Sequence, residues 1–147
     1  MDIGIVLIAG ALVWYYVSTR SASPTPSGPR EVALQAALGQ IGVPYVWAGE
    51  TPGFGFDCSG LTRWAYLQAG VDLPHNAALQ HNMASSIGTP EAGDLVFFNF
   101  YGEVDHVGLV VQGDEIVDAS DPPGYVRRHS IGASGWWPYF VGYGRVA

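Results

Sequence analysis

The sequence has a single cysteine, no lysine and few charged residues of any kind. One cysteine excludes an intramolecular disulfide framework and a zinc site built mainly from cysteines. Charged residues make up 13% of the 147 residues and aromatic residues another 13%. A composition this poor in charge excludes disorder for most of the chain. The net charge of −7, with 6 arginines against 13 acidic residues, disfavours binding to nucleic acid, which requires a basic face.

The N-terminal residues 1–20 are expected to form a single hydrophobic helix, because Ile3–Thr19 carry no charge. At about 1.5 Å per residue such a helix spans roughly 26 Å, the lower limit for crossing a bilayer. Trp14, Tyr15 and Tyr16 near its end favour an uncleaved membrane anchor. A signal peptide and a segment packed into a neighbouring subunit are the alternatives. Arg20 and Arg30 follow the segment and no basic residue precedes it, which would place the rest of the chain in the cytoplasm, against the function inferred below.

Residues 21–29 are rich in proline and serine and are typical of an extended linker, so the globular domain is expected over residues 30–147. Apolar spacing with proline or glycine at the boundaries predicts helices over residues 31–39, 58–69 and 76–84. Short apolar runs separated by glycine, proline and aspartate predict strands near residues 95–98, 107–111, 115–118, 125–127 and 140–143. Helices followed by strands predict an α+β fold, with N-terminal helices packed on a central antiparallel sheet.

Cys58 is the strongest candidate for a reactive residue. It follows a glycine-rich loop and begins the second predicted helix. The unpaired N–H groups and partial positive charge of a helix N-terminus favour a thiolate over a thiol. A lone cysteine is also commonly buried and inert, so position alone leaves both interpretations open.

A nucleophilic cysteine needs a base, and the base needs a group that orients it. His106 begins a strong predicted strand, and a hairpin that turns at Gly113 and Asp114 would bring Asp118 back beside it. A carboxylate there would fix the imidazole tautomer and stabilise the imidazolium. The remaining histidines, His75, His81 and His129, are expected to be surface or structural residues, and no tight ligand spacing supports a metal site.

Four segments of the chain resemble the NlpC-type cell-wall cysteine peptidases of the papain-like superfamily. In order, they are Pro44–Gly49 (PYVWAG), Phe56–Leu61 (FDCSGL), Gly93–Phe98 (GDLVFF) and His106–Leu109 (HVGL). The resemblance implies a papain-like NlpC-type fold and cleavage of peptidoglycan stem peptides, typically between D-γ-glutamate and the diamino acid. By motif position it makes Cys58 the nucleophile and His106 the base. Tyr45 would reach the site from the preceding loop, and Asp57 and Ser59 would shape the substrate cleft.

Two positions depart from the family pattern. The third catalytic residue is most often histidine in this family, whereas Asp118 stands there in this chain. The usual Pro-Arg before the third helix is Pro74-His75, so a substrate contact is expected to differ.

The sequence therefore predicts a cysteine endopeptidase that needs no metal or organic cofactor. An amidase or transpeptidase reaction at the same site, and a non-catalytic wall-binding or structural module, are the alternatives. The expected location is the cell envelope, where the membrane or neighbouring subunits would be contacted through residues 3–19. The alternative location is a phage virion, as part of a tail lysin.

Overall fold

The computed structural model of the chain describes residues 4–8, 11–15 and 28–147. Its helices are α1 (Pro29–Leu38), α2 (Cys58–Leu67) and α3 (Ala77–Met83), with a short 3₁₀ turn at Trp137–Tyr139. Its strands are β1 (Gly4–Ile8), β2 (Ala11–Tyr15), β3 (Glu50–Thr51), β4 (Gly55–Phe56), β5 (Ser85–Ile87), β6 (Leu95–Phe98), β7 (His106–Gln112), β8 (Glu115–Ser120), β9 (Tyr125–Ser130) and β10 (Phe140–Arg145). The predicted helices and strands of residues 30–147 are thus all present, with shifted ends.

A six-stranded antiparallel sheet organises the domain, in the order β5-β10-β6-β7-β8-β9. The consecutive strands β6 to β9 form a meander, and the C-terminal strand β10 inserts between β5 and β6. The predicted α+β fold with a central antiparallel sheet is therefore confirmed. The hairpin of β7 and β8 has Gly113 at its turn with a φ of 55°, a left-handed conformation that glycine adopts without strain.

The sheet is covered on both faces, which explains why β6 reads as an unbroken apolar run. Leu95 and Phe97 belong to the main core, where α1 and α2 pack against the sheet. Val96 and Phe98 belong to a second cluster on the opposite face, together with Val110, Ile116 and Ile131. Because successive side chains of a strand point to opposite faces, a strand with two covered faces needs apolar residues at every position.

The predicted N-terminal helix is not what the structure shows. Gly4–Ile8 and Ala11–Tyr15 are antiparallel strands, with Gly4 opposite Tyr15 and Ile8 opposite Ala11. The physical reason lies in the composition, because isoleucine, valine, tryptophan and tyrosine all favour strands over helices. Within the described part of the chain, no helix combines the length and the apolar character needed to cross a bilayer. The other residues of the predicted helix and residues 21–27 of the linker lie outside the described residues.

Candidate active site

Cys58 is the first residue of α2, as the sequence predicts, and the helix N-terminus is capped beside it. The cap is Asp57, whose Oδ1 accepts a hydrogen bond of 2.7 Å from the backbone N–H of Gly60. The Cys58 side chain is half-buried, and its Sγ lies 3.8 Å from the carbonyl oxygen of Asp105, the residue before His106. The thiol is therefore held between a helix N-terminus and the start of β7.

The loop that carries Tyr45 is fixed against the same helix end. The backbone N–H of Asp57 donates to the carbonyl of Gly49 at 2.9 Å. A Cβ atom on Gly60 would collide with that carbonyl oxygen, so only glycine allows the loop and α2 to approach so closely. Partial burial, followed by the negative charges of Cys58, Asp57 and Asp121, raises the pKa of Tyr45. Its hydroxyl thus stays protonated and can donate a hydrogen bond into the site.

His106 lies beside Cys58, with 8% of its surface exposed. Its Nε2 is 2.6 Å from Oδ2 of Asp118, which leaves Nδ1 available for the hydrogen bond between His106 and Cys58. Burial alone would lower the pKa of His106. The negative charge of Cys58, hydrogen bonds with Asp118 and Cys58, and the charge of Asp118 outweigh burial and raise this pKa to about 10. The arrangement favours a protonated imidazole ring beside Cys58.

Asp118 is completely buried and is held by two histidines rather than one. Its Oδ1 lies 2.8 Å from Nε2 of His129, and Nδ1 of His129 lies 2.7 Å from the hydroxyl of Ser134. Burial would raise the pKa of Asp118, but the hydrogen bonds and charges of His106 and His129 lower it to about 2. Because an ionised carboxylate only accepts, Nε2 of both rings carries the proton in these bonds.

An indole ring covers the two histidines. Trp136 contacts His106 edge-on, with ring centroids 5.3 Å apart, and His129 in the same way at 4.7 Å. It also packs against Phe98 and Phe100 on the second apolar cluster. These contacts fix the plane of each imidazole and limit the access of water to the Asp118 carboxylate.

The site opens into a cleft of about 1470 Å³. Tyr45, Asp57, Cys58, Ser59 and His106 all line it, so the structure brings these predicted residues together, whereas Asp118 lies behind His106. His75 also lines the cleft, at the position where the family pattern has arginine.

His75, expected to be a surface or structural residue, lies in the wall of the cleft, where its ring connects two acidic residues. Its Nε2 lies 2.7 Å from Oδ1 of Asp57 and its Nδ1 lies 3.1 Å from Oε2 of Glu50. His81, by contrast, packs its ring edge-on against Phe97 with centroids 4.9 Å apart, which is a structural role.

The sequence missed His129 as part of the site. It predicted a strand that ends at Arg127, whereas β9 continues to Ser130, in register with Glu115 of β8. Extending the predicted strand by three residues includes His129, which lies two residues after Arg127 and therefore on the same face of β9. Because Arg127 is opposite Asp118 in the sheet, His129 shares the face of Asp118. In the described part of the chain, no three histidine, cysteine, aspartate or glutamate side chains converge as metal ligands.

Similar proteins carry the same domain within longer chains. Residues 42–145 match the sequence profile of the NlpC/P60 family. The "Probable endopeptidase p60" of Listeria grayi is 40% identical over 128 residues, which are 86% of this chain and 24% of that protein. The "Bifunctional muramidase/DL-endopeptidase CwlT" of Bacillus subtilis is 36% identical over 121 residues, or 79% of this chain and 36% of that protein. This chain thus spans about a quarter to a third of the length of these relatives.

A solved structure agrees with the sequence matches. The crystal structure of an NLP/P60 family protein described as similar to lipoprotein, from Staphylococcus aureus, superimposes with a TM-score of 0.73 at 32% identity. The superposition covers 85% of this chain and 45% of that one. The fold, the arrangement around Cys58 and the family match over most of the chain lead to one conclusion: this chain belongs to the NlpC/P60 family.

Proposed function

We propose that this chain is a cysteine endopeptidase that hydrolyses an amide bond of the peptidoglycan stem peptide, between D-γ-glutamate and the diamino acid. The observation that carries the proposal is the sequence of contacts from Cys58 through His106 to Asp118. It supplies a nucleophile, a proton carrier and a group that orients the carrier, in one half-buried place. The endopeptidase names of the family relatives support the same reaction class.

In the first half of the reaction, the Cys58 thiolate attacks the carbonyl carbon of the scissile amide. The backbone N–H of Cys58 and the hydroxyl of Tyr45 stabilise the oxygen that becomes negative, a contribution worth roughly 3 kcal/mol per donor. The carbon–nitrogen bond then breaks, and the His106 imidazolium gives its proton to the leaving amine. The product is a thioester between Cys58 and the γ-carboxyl group of the substrate.

In the second half, neutral His106 takes a proton from a water molecule that attacks the thioester carbonyl. The carbon–sulfur bond breaks, the new carboxylic acid leaves and releases its proton to the solvent, and the thiolate–imidazolium pair is restored. Asp118 keeps the imidazole oriented in both halves, because its carboxylate stays ionised and holds the proton of Nε2 in place. Because the substrate is a wall polymer, we propose that the enzyme acts at the cell envelope, in a bacterial or a phage setting.

Digestion of purified peptidoglycan by the full 147-residue chain tests this proposal. The wild type is expected to release stem-peptide fragments with a new γ-glutamyl carboxylate, identified by mass spectrometry. In water enriched in ¹⁸O, a hydrolase places the label in that carboxylate, whereas a transpeptidase does not. Fragment masses also separate an endopeptidase from an amidase that cuts the bond to the sugar.

Cys58→Ala is the decisive variant. It is expected to release no fragments, while its free energy of unfolding stays within about 1 kcal/mol of the wild type, because only a half-buried side chain is shortened. Thermal unfolding of both proteins is the control for folding. A folded Cys58→Ala variant that still digests the wall, or a folded wild type that does not, would contradict the proposal.

A further inference from the structure

One basic side chain stands out from the others by its lack of an acidic partner. Four of the five described arginines form ion pairs: Arg30 and Arg145 with Glu91 and Asp94, Arg63 with Glu50 and Asp72, and Arg128 with Glu115. Arg127 forms no ion pair and no hydrogen bond through its side chain with any described residue, and its Nε is buried without a partner. In a chain with more than twice as many acidic as basic residues, an arginine without an acidic partner is unexpected.

Arg127 lies in the wall of the same cleft as Cys58 and His106. It is directly opposite Asp118 in the register of β8 and β9, so the two side chains leave the same face of the sheet. Its guanidinium carbon lies 5.7 Å from the ring centroid of Trp136, the indole that also contacts His106. This cation–π contact holds the guanidinium in place, but it gives no hydrogen-bond acceptor to the N–H groups of Arg127.

A second polar group on this wall is also without a partner. Ser120 follows Asp118 by two residues in β8, and is therefore on the same face of the strand as Asp118. Its side chain lines the cleft, is 7% exposed in total, and its Oγ is buried without a hydrogen bond. Buried polar groups in native proteins are almost always bonded, so an orphan hydroxyl and an orphan guanidinium nitrogen in one wall indicate a missing ligand.

We propose that Arg127, with Ser120, binds a carboxylate of the substrate peptide next to the scissile bond. This inference rests on the proposed function. Both groups are donors, and a guanidinium pairs with a carboxylate through two parallel N–H bonds that a neutral amide cannot match. A γ-linked glutamyl residue keeps its α-carboxylate free close to the scissile carbonyl, and the diamino acid on the other side of the bond carries a carboxylate as well.

The test compares three synthetic stem peptides with the full-length enzyme. One peptide carries both carboxylates, the second has the glutamyl carboxylate converted to a carboxamide, and the third has the diamino-acid carboxylate converted. The wild type is expected to prefer the first peptide by about ten- to hundredfold in kcat/KM over one of the two amides, since charge-assisted hydrogen bonds are the strong ones. The amide that loses activity identifies the carboxylate that Arg127 binds.

Arg127→Gln is expected to abolish this preference, by lowering kcat/KM for the carboxylate peptide and leaving the sensitive amide unchanged. Arg127→Lys keeps the charge and is expected to retain part of the preference. The matched control is Arg128→Gln, which removes the same charge from the adjacent residue, a partner of Glu115 outside the cleft lining. It is expected to behave as the wild type with all three peptides.

Equal losses on carboxylate and carboxamide peptides in Arg127→Gln would overturn the inference, as would a wild type that shows no preference between them. If the wild type cleaves no peptide, the proposed reaction fails, and the inference is still tested by calorimetric binding in a Cys58→Ala background. There, addition of Arg127→Gln is expected to weaken binding of the carboxylate peptide about ten- to hundredfold. Unchanged binding in a folded double variant would overturn it.

Discussion

Two aspartates of this domain, Asp94 and Asp118, are equally buried but differ in what they contribute, because one is bonded to arginines and the other to histidines. Each has no exposed surface, and each is held by two basic side chains. Asp94, in the turn before β6, receives bonds of 2.9 and 2.7 Å from Arg145 and lies 3.5 Å from Arg30. Asp118 is held by His106 and His129.

The pKa is lowered at both carboxyl groups, although burial alone would raise it. At Asp94, hydrogen bonds from Arg145 and from the backbone of Glu91, and the charges of Arg145 and Arg30, outweigh burial. An arginine partner is permanently charged, so Asp94 connects α1 to β10 through ion pairs that do not exchange protons. A histidine partner can gain and lose a proton, so the second pair can take part in chemistry. Burial and a lowered pKa therefore do not identify a catalytic carboxylate, whereas the titrating partner does.

The largest effect is expected from Asp118→Asn, which keeps the shape of the side chain and removes its charge. We expect kcat to fall about 10²- to 10⁴-fold, because the imidazolium loses its stabilising charge and the amide favours the wrong tautomer of His106. Steady-state kinetics on a stem peptide measure this loss. A kcat within threefold of the wild type would show that Asp118 does not orient the base.

The second-largest effect is expected from Asp94→Asn, as a decrease in the free energy of unfolding. Because Arg30 and Arg145 remain partly exposed and can be rehydrated, the loss is expected at the lower end for a broken buried pair, about 3 kcal/mol. Since the folded pKa of Asp94 lies below the unfolded value of about 3.9, its contribution is complete above that pH and is lost as the pH falls further. Denaturant unfolding at neutral and acid pH checks both statements.

Asp94→Asn is expected to leave kcat unchanged wherever the protein is folded. A variant with normal stability and impaired turnover would reverse the roles assigned to the two aspartates.

The smallest effect is expected from His129→Ala. His129 does not face the cleft and acts through Asp118, so it is a positioning residue. We expect kcat to fall about tenfold with little change in KM, in the low range of effects on general acid–base catalysis. His129→Gln places an amide N–H where Nε2 donates and is expected to restore most of the loss. An equal loss in both variants, or a loss confined to KM, would contradict the positioning role.

The two aspartates also show what the sequence can predict. Asp118 was predicted because the hairpin that returns it to His106 is local, and turn residues and strand periodicity define a local hairpin. The hydrogen bonds from Arg145 to Asp94 join residues 51 positions apart, and no sequence pattern indicates which arginine pairs with which carboxylate. Cys58 became a candidate because a helix N-terminus after a glycine-rich loop is a local signal, and the family resemblance then implied its role as the nucleophile.

Where the sequence interpretation was incomplete or wrong, the missing information concerned the spatial neighbours of a residue or the ends of an element. His129 lies beyond the predicted end of β9, and His75 meets Asp57 only when α2 and the segment before α3 are packed together. Strand β5 was not predicted, because Ser85–Ile87 has no distinctive pattern and, among the described strands, pairs with β10 alone. At the N-terminus, a continuous apolar run fits a helix and a strand pair equally by hydropathy, and strand preference decided between them at Gly4–Ile8 and Ala11–Tyr15.

The central claim is that His106 shares a thiolate–imidazolium pair with Cys58, and NMR titration of the histidine side chains tests it most directly. In the wild type, His106 is expected to stay protonated through the neutral range and to titrate near pH 10. In Cys58→Ala its pKa is expected to fall well below that value, because the negative charge is gone and the cost of burial remains. A wild-type His106 that titrates near its ordinary value of about 6.5, unchanged in Cys58→Ala, would contradict the account.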